Sequence, residues 1–377
     1  MDTIIRKILL SLFVVTVLLC QNIVADNVIG NNAFSSLGLT VNGYLDFVLQ
    51  GSPKRNIKTS QADEFQGVCD GAFLGAIYIT KQVSEDSLIR THFSVKKGIG
   101  INDKFLLYST LDSNVGTANK LTNGFPELVE ALWEQNLFNK KLTIDFGRLN
   151  PTLYFDLNKV ANDGTYQFLA NIFVNNPAVP FPSFTLGLRV KYSVCDFLDL
   201  NYAYFNRDDN VWAELGTNNS NFFEFTYKPC DDGNYRFLLW KDFQNEYAQG
   251  FGFNLDQALS KSLILFARIG YQNSNTPYIS DNIYCNKSWS AGFQLNGNIW
   301  NRLKDTLGIA AGQNFVEEFS CTPETQAEIY YKYALSDVFA LSPIFQYVDR
   351  PYSALVDSEV KTTKNIFTLG IRTNITF

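Results

Sequence analysis

The chain has 377 residues, a formal net charge of −6 and a pI near 5.0, a balance that gives no support to nucleic-acid binding, which calls for a basic patch or stripe. Phe, Tyr and Trp make up 15% of the residues while the mean hydropathy is −0.07, so apolar residues are interleaved with polar ones rather than pooled in long runs. The single histidine, His92, excludes a multi-histidine metal site within one chain, and we predict neither a metal nor a cofactor.

The N-terminus has the features of an export signal. Arg6 and Lys7 precede the apolar run ILLSLFVVTVLLC, and the small residue Ala25 follows at a position suited to cleavage. A lipoprotein anchored at Cys20 is the alternative, but a large leucine precedes that cysteine where a small residue is expected. The predicted divisions are a signal peptide at 1–25, a linker at 26–38 and one domain at 39–377.

After the signal, no apolar run approaches the roughly 20 residues that a membrane-spanning helix needs, whereas a membrane strand needs only about 9–11 alternating residues. The stretch TLGLRVKYS places Leu186, Leu188 and Val190 on one face and Arg189 and Lys191 on the other. The same alternation recurs along the chain. It predicts strands at 39–50, 69–80, 86–98, 128–138, 140–148, 184–193, 197–206, 219–228, 234–243, 249–258, 261–272, 286–297, 304–314, 323–335, 338–348 and 365–377.

These strands predict an all-β fold, a transmembrane antiparallel β-barrel of about 16 strands. An additional strand near 104–110 is left open. Only a closed sheet leaves no unpaired edge in hydrocarbon, and the final strand, NIFTLGIRTNITF, alternates until its terminal aromatic residue. A soluble β-sandwich also alternates, but it does not explain strands this long and this rich in outward Phe and Tyr.

Alternation stops in FGRLNPTLYFDLNKVANDGTYQFLANIFVNNPAVPFPS, which is rich in Asn, Asp, Pro and aromatic residues. A long irregular stretch in a compact protein is usually functional or disordered, and its aromatic content argues against disorder. We therefore predict that a segment at about 149–183 folds into the barrel lumen and narrows it.

Several stretches resemble one family in order and spacing: LVEALWEQNLFNKKLTIDFGRLNP, YFDLNKVANDGTYQFL, NPAVPFPS, GLRVKYS, LFARIGYQ, AGFQLNGNIW, ETQAEIYYKYALSD and LGIRTNITF. They resemble the carbohydrate-selective porin (OprB) family over roughly 125–377, and more loosely over 39–124. The resemblance implies a sixteen-stranded porin in the bacterial outer membrane, surrounded by lipid. It also implies a narrowed, partly charged channel for small sugars and ions.

The polar face of the strands predicts which charges face the lumen: Arg189, Lys191, Lys228, Arg268, Lys332 and Arg372, with Glu224, Asp256 and Glu328. The alternative for any one of these charges is that it only keeps the wall of a water-filled channel hydrated. With the folded-in segment, the pore-lining or constriction candidates are Glu130, Glu134, Arg148, Asp156, Asn158, Asn162, Arg189, Arg268 and Arg372. Arg148 shares the outward alternation of Phe146, so its inward position requires a bulge or a strand end.

Five cysteines remain after the predicted cleavage, at 69, 195, 230, 285 and 321. This odd number is compatible with one or two loop disulfides plus a free thiol, or with disulfide-linked envelope partners. A homo-oligomer is left open as well. No Ser nucleophile motif lies near His92, so we predict no catalytic residues and no enzyme activity. The alternative function is a structural or adhesive surface barrel without sugar selectivity.

Overall fold

The computed structural model describes residues 38–53, 67–98, 101, 126–206, 219–243, 248–273, 278–279, 282–283, 285–315, 323–349 and 365–377. The predicted signal peptide, nearly all of the linker, the open strand near 104–110 and Cys321 lie outside these residues. Within the described ranges, no helix is long and apolar enough to cross a membrane.

Most of the described chain is β-structure, with one short α-helix, α1 (Asn171–Val174), and two 3-10 helices at Pro151–Leu153 and Gly297–Trp300. The strands are β1 (Leu39–Ser52), β2 (Val68–Ser84), β3 (Ser87–Lys97), β4 (Pro126–Leu137), β5 (Leu142–Leu149), β6 (Thr185–Cys195), β7 (Leu198–Asn206), β8 (Asn219–Cys230), β9 (Gly233–Asp242), β10 (Gln249–Ala258), β11 (Leu263–Gln272), β12 (Tyr278–Ile279), β13 (Asn282–Ile283), β14 (Lys287–Asn296), β15 (Thr306–Phe315), β16 (Glu324–Ala334), β17 (Phe339–Asp349) and β18 (Ile366–Thr376).

Sixteen of these strands form one closed antiparallel barrel within the described residues, in the order β1-β18-β17-β16-β15-β14-β11-β10-β9-β8-β7-β6-β5-β4-β3-β2. Each predicted strand is present, with bounds that shift by a few residues, so the predicted barrel is confirmed. The remaining pair, β12 and β13, forms a separate small hairpin that the alternation did not predict.

A residue that faces the lumen on one strand lies opposite a residue that faces the lumen on the neighbouring strand. Asn254 on β10 lies opposite Arg268 on β11, which in turn lies opposite Ser290 on β14, and all three are buried. On the other face, Leu188 and Ile269 are exposed. Because the side-chain period of a strand is two, the alternation in the sequence sorts every strand into a lipid face and a lumen face.

Closure depends on the end of the chain. The N–H of Gly43 donates to the carbonyl of Phe377 at 2.9 Å, and the N–H of Phe377 donates back at 3.0 Å. The Phe377 ring covers Gly43 so closely that a Cβ there would lie 2.4 Å from its Cζ. These bonds extend the β1–β18 ladder to the last residue, so no edge is left where the sheet closes.

The two ends of the barrel differ in their connections. At one end the chain turns within a few residues, as at 85–86 and 138–141, whereas at the other end it runs through longer stretches such as 98–125 and 150–184. In bacterial outer-membrane barrels the short turns face the periplasm and the long loops face outward. The long-loop end is therefore the outer end.

We expect a charge on the outward face to destabilise the barrel according to its depth in the bilayer. Leu188→Arg, well inside β6, should lower the free energy of unfolding by about 2–4 kcal/mol if it lies near the bilayer midplane. Val194→Arg, on the same face at the short-turn rim, is the matched control and should cost about 0–1 kcal/mol. Urea unfolding in lipid vesicles measures both values. Equal costs for the two variants would contradict the assigned lipid face.

Candidate functional site

The connection between β5 and β6, residues 150–184, lies inside the barrel, and we refer to it as the lumen segment. It begins with a 3-10 turn at Pro151–Leu153, where the Asn150 side chain accepts a hydrogen bond from the N–H of Thr152 at 3.2 Å. It then passes through α1 before returning to β6. The predicted folding of this segment into the lumen is confirmed.

Two apolar clusters hold the lumen segment against the wall. In the first, Phe168 packs edge-on against Tyr330 of β16, with ring centroids 5.0 Å apart, and against Phe266 of β11 at 5.6 Å. In the second, Phe155 contacts Phe205 of β7 and Phe222 of β8. Inward aromatic residues on the strands therefore form a hydrophobic core with the segment, which a simple water-filled pore would lack.

Inward carboxylates of the wall accept hydrogen bonds from the backbone of the lumen segment. Glu328 on β16 accepts from the N–H groups of Leu169 and Ala170, at 2.6 and 2.7 Å. Glu224 on β8 accepts from the N–H of Asp156 at 2.8 Å. These carboxylates accept hydrogen bonds from backbone N–H groups that have no partner within a helix or a sheet. Such charge-assisted hydrogen bonds are stronger than neutral ones.

The predicted residue Glu130 on β4 anchors the start of the segment. One of its carboxylate oxygens accepts from the N–H of Asn150 at 3.1 Å and from the Tyr154 hydroxyl at 2.8 Å. Glu130 is fully buried. Glu134, also predicted, stays on the wall, where it pairs with Arg90 at 3.3 Å.

Asp156 of the lumen segment and Arg268 of β11, both predicted constriction residues, form a buried ion pair. The Nε of Arg268 lies 2.9 Å from an Asp156 carboxylate oxygen, and its other nitrogens donate to the carbonyls of Phe173 and Ala161. Burial raises the pKa of Asp156, while the adjacent guanidinium opposes that rise. Asp156 has a φ of +57°, a left-handed conformation that Asp tolerates better than most residues. Arg268 thus joins separate parts of the segment.

Asn158, also a predicted constriction residue, continues this network through both ends of its amide. Its Nδ2 donates to Asn254 Oδ1 at 2.7 Å, and its Oδ1 accepts from the N–H groups of Val160 and Ala161. Asn254 in turn donates to the carbonyl of Asp156 at 2.7 Å. Two asparagines therefore link β10 to the segment.

The remaining predicted residues have different environments. Arg372 on β18 is buried and donates to the carbonyl of Gly164 at 2.6 Å. Asn162 contacts the Gln167 side chain through its backbone N–H, at 2.7 Å, within the segment itself. Arg189 on β6 donates to Asp145 and Asn201, and its guanidinium lies 4.7 Å from the centre of the Tyr154 ring.

Arg148 faces outward, so the predicted inward position of this residue is wrong. Arg148 pairs with Ala131 of β4 and Leu186 of β6, so it stays on the outward alternation of Phe146. The irregularity lies in β4 instead, where the pairing to β3 skips Val129. The Nε of Arg148 donates to the Leu128 carbonyl beside this bulge at 2.8 Å.

Close approach of the segment to the wall also requires an inward glycine, which the sequence analysis missed. A Cβ at Gly270 would lie 2.2 Å from the Asn176 side-chain oxygen, and Asn176 donates to the Ile269 carbonyl at 2.9 Å. Glycine allows such an approach because it has no side chain. The sequence indicates this close approach through glycines at inward positions of β10, β11, β14 and β15: Gly250, Gly252, Gly270, Gly292, Gly308 and Gly312.

Half-exposed lysines remain on the wall near the short-turn end. Lys191 and Lys228 both contact one carboxylate oxygen of Asp199, at 3.2 and 2.6 Å, while about a third of each lysine side chain stays exposed. Two lysine ammonium groups therefore share one carboxylate oxygen at this part of the wall.

The cysteines within the described residues, at 69, 195, 230 and 285, are all free, so the expected loop disulfides are not formed among these four. Acidic, histidine and cysteine side chains in the described ranges also form no group suited to a metal ion.

Comparison with known proteins places the chain in a family. The model of the carbohydrate-selective porin, OprB family matches residues 83–229 and 241–377. The chain belongs to this family. An uncharacterized protein of Aquifex aeolicus (strain VF5) is 24% identical over 238 residues, which cover 63% of this chain and 65% of that protein, slightly under two thirds of its length.

Solved structures agree on the fold. The high-pH structure of Pseudomonas putida OprB has a TM-score of 0.70 at 14% identity and covers 91% of this chain and 95% of that one. A mutant porin of Rh. blastica has a TM-score of 0.54 at 11% identity and covers 90% and 100%. The OprB family consists of outer-membrane porins, which are channels of bacteria.

We expect removal of the Arg268 guanidinium to release the lumen segment. Arg268→Met leaves Asp156 buried without its cation, and breaking such a pair costs about 3–5 kcal/mol. Limited proteolysis of the folded protein, with cut sites mapped by mass spectrometry, should show new cleavage within 150–184. The double variant Arg268→Met/Asp156→Asn should be protected more than Arg268→Met, because no charge is left unpaired.

Arg302→Met is the matched control for this experiment. Arg302 pairs with Asp305 in the turn between β14 and β15, outside the lumen segment. The Arg302→Met variant should show the same proteolytic cleavage within residues 150–184 as the unsubstituted protein. Full protection of 150–184 in Arg268→Met would contradict the anchoring role of that arginine.

Proposed function

We propose that the lumen segment is the constriction of a diffusion channel that favours small sugars. The observation that supports this most directly is the set of hydrogen bonds between the segment and five buried wall side chains. Three of these side chains accept, Glu130, Glu224 and Glu328, and two donate, Arg268 and Arg372. A segment held at so many points around the wall keeps a fixed cross-section while solutes diffuse past it. Membership of a carbohydrate-selective family supports sugars as the solutes.

Aromatic residues beside the lumen segment support the sugar preference. Tyr166 of the segment lies 6.3 Å from Tyr44 of β1, ring centre to ring centre, and Tyr44 lies 6.4 Å from Tyr78 of β2. Tyr78 stacks on His92 of β3 at 4.1 Å. A row of ring faces and phenol hydroxyls suits the apolar faces and hydroxyl groups of a sugar ring, because it offers both stacking and hydrogen bonds.

The arginines and the lysines of the wall have different roles in this proposal. Arg268 and Arg372 are buried and hold the segment, so their charges act mainly on its position. Lys191 and Lys228 keep part of their side chains exposed and set the field for passing ions. Glu134, Asn162 and Arg189 complete the proposed lining.

We propose roles for the other parts of the protein as well. Residues 1–25 act as the export signal, 26–38 form a linker, and 39–377 form the porin domain in lipid. The protein has no enzyme activity in this account. A homo-oligomer, or a link to envelope partners through its free thiols, is compatible with the exposed Cys69 and Cys230.

We expect shortening of the lumen segment to widen the channel. Replacement of Asn158–Val179 by a short Gly-Ser bridge should raise the single-channel conductance in planar bilayers and abolish current block by added sugars. Unchanged conductance together with unchanged sugar block would contradict the constriction. A protein with no steady current in either form would favour the structural or adhesive alternative.

A pair of arginine substitutions tests which residues reach the channel. Arg372→Gln should alter both conductance and ion selectivity, because it removes a bond to the segment and an inward charge. Arg148→Gln, the same substitution on the outward face, should leave both unchanged. Reversal potentials in a salt gradient measure the selectivity. An effect of Arg148→Gln equal to that of Arg372→Gln would contradict the assignment.

A further inference from the structure

The lumen segment lies across the seam at which the barrel closes, between the first strand, β1, and the last strand, β18. On the β1 side, Tyr166 of the segment packs against Tyr44, with ring centres 6.3 Å apart. On the β18 side, Arg372 donates to the carbonyl of Gly164 at 2.6 Å. Neighbouring residues of the segment therefore contact both strands of the seam.

A chain of buried side chains connects the same seam to the segment. Gln50 on β1 donates through its Nε2 to the Oε1 of Gln346 on β17, at 2.8 Å. Gln346 donates through its own Nε2 to the Oε2 of Glu328 on β16, at 3.0 Å. That oxygen also accepts from the N–H of Ala170, so three successive hydrogen bonds join the first strand to the segment. We refer to Gln50, Gln346 and Glu328, which are all buried, as the seam chain.

Glu328 determines the direction of both amides in the seam chain. Because a carboxylate has only acceptors, Gln346 must present its NH2 group to Glu328 and its oxygen to Gln50. Gln50 must then present its own NH2 group to Gln346. Rotation of either amide by half a turn would break the chain, so the orientation at one end is coupled to the orientation at the other.

Gly370 of β18 leaves room for the seam chain. Gln50 pairs in register with Gly370, whereas Gln346 pairs with Thr368, so the Gln50 side chain crosses β18 diagonally to reach β17. A Cβ at Gly370 would lie 3.1 Å from the Cγ of Gln50, closer than ordinary van der Waals contact. Glycine has no such atom, and the crossing is therefore possible.

We propose that Gln50 and Gln346 are positioning residues of the constriction, which act on the lumen segment through Glu328. Gln346 holds the Glu328 carboxylate in the orientation in which its two oxygens receive the N–H groups of Leu169 and Ala170, and Gln50 holds Gln346. The position of the segment is thereby fixed relative to the seam. The role of the two glutamines in the channel rests on the function proposed above for the lumen segment.

Amide hydrogen exchange of the full-length porin in detergent micelles tests the seam chain. Gln346→Met, which keeps the side-chain length but removes the amide, should accelerate exchange at Leu169 and Ala170 about fivefold, the effect of one lost hydrogen bond. Gln50→Met should accelerate the same two amides by at least about twofold, although its own hydrogen bond is to Gln346. Exchange at Asp156, which donates to a different carboxylate, should not change.

The double variant Gln50→Met/Gln346→Met distinguishes a connected chain from two separate packing effects. It should exchange like Gln346→Met alone, because Gln50 acts only through Gln346. Additive acceleration in the double variant would overturn the proposal. Unchanged exchange at Leu169 and Ala170 in Gln50→Met would overturn it as well.

Gln326→Met is the matched control, because Gln326 is a buried, inward glutamine of the same strand as Glu328 and donates to Glu324 instead. It should leave exchange at both segment amides unchanged. Acceleration equal to that of Gln346→Met would mean that any buried amide of the wall has this effect, and the proposal would fail. Heat-modified gel mobility verifies that each variant is folded.

Single-channel recordings of the same variants separate the seam chain from the function of the segment. Gln346→Met should weaken current block by added glucose, because a loosened segment no longer keeps one cross-section, whereas Gln326→Met should not. Faster exchange at Leu169 and Ala170 with unchanged glucose block would support the hydrogen-bond chain. The same result would contradict the proposed constriction, and with it the role of the two glutamines in the channel.

Discussion

The absence of water in hydrocarbon is the constraint on which the whole structure depends. Every backbone N–H and C=O at membrane depth must find a protein partner, so the sheet can end only by meeting itself. The reciprocal bonds between Gly43 and Phe377 complete that meeting at the last residue of the chain. Once the barrel is closed, the period of two assigns each side chain to lipid or lumen, and the inner wall becomes a surface with its own chemistry.

The inner wall also supplies hydrogen-bond partners to the buried backbone groups of the lumen segment. Much of the segment lacks regular secondary structure, so its buried donors need other acceptors. Glu224 and Glu328 supply carboxylate oxygens to its N–H groups, and Arg268 supplies donors to its carbonyls. The charged residues inside the barrel therefore act first as anchors. In the function proposed above, their positions fix the cross-section through which solutes pass, and this links the strand pattern to a narrowed channel.

The sequence predicts the barrel well because alternation is a local property that each strand displays by itself. The lumen segment was predicted from the loss of alternation. Of the candidate residues, Asp156, Asn158 and Arg268 lie in one connected network, while Glu130 bonds to the start of the segment. The anchoring roles of Glu224 and Glu328 were not predicted, because their partners are more than 60 residues away along the chain. The inward turn of Arg148 was wrong because the bulge occurs in β4, and a single bulge leaves little trace in a sequence.

Hydrogen exchange tests most directly whether the lumen segment is bound as firmly as the wall. The decisive amides are those of Asp156, Leu169 and Ala170, which donate to Glu224 and Glu328. We predict that these amides exchange as slowly as amides within the barrel strands, and that Glu328→Gln accelerates exchange at Leu169 and Ala170 but not at Asp156. Exchange of all three at the rate of an unstructured peptide, in the unsubstituted protein, would contradict the claim that the wall holds the segment in place.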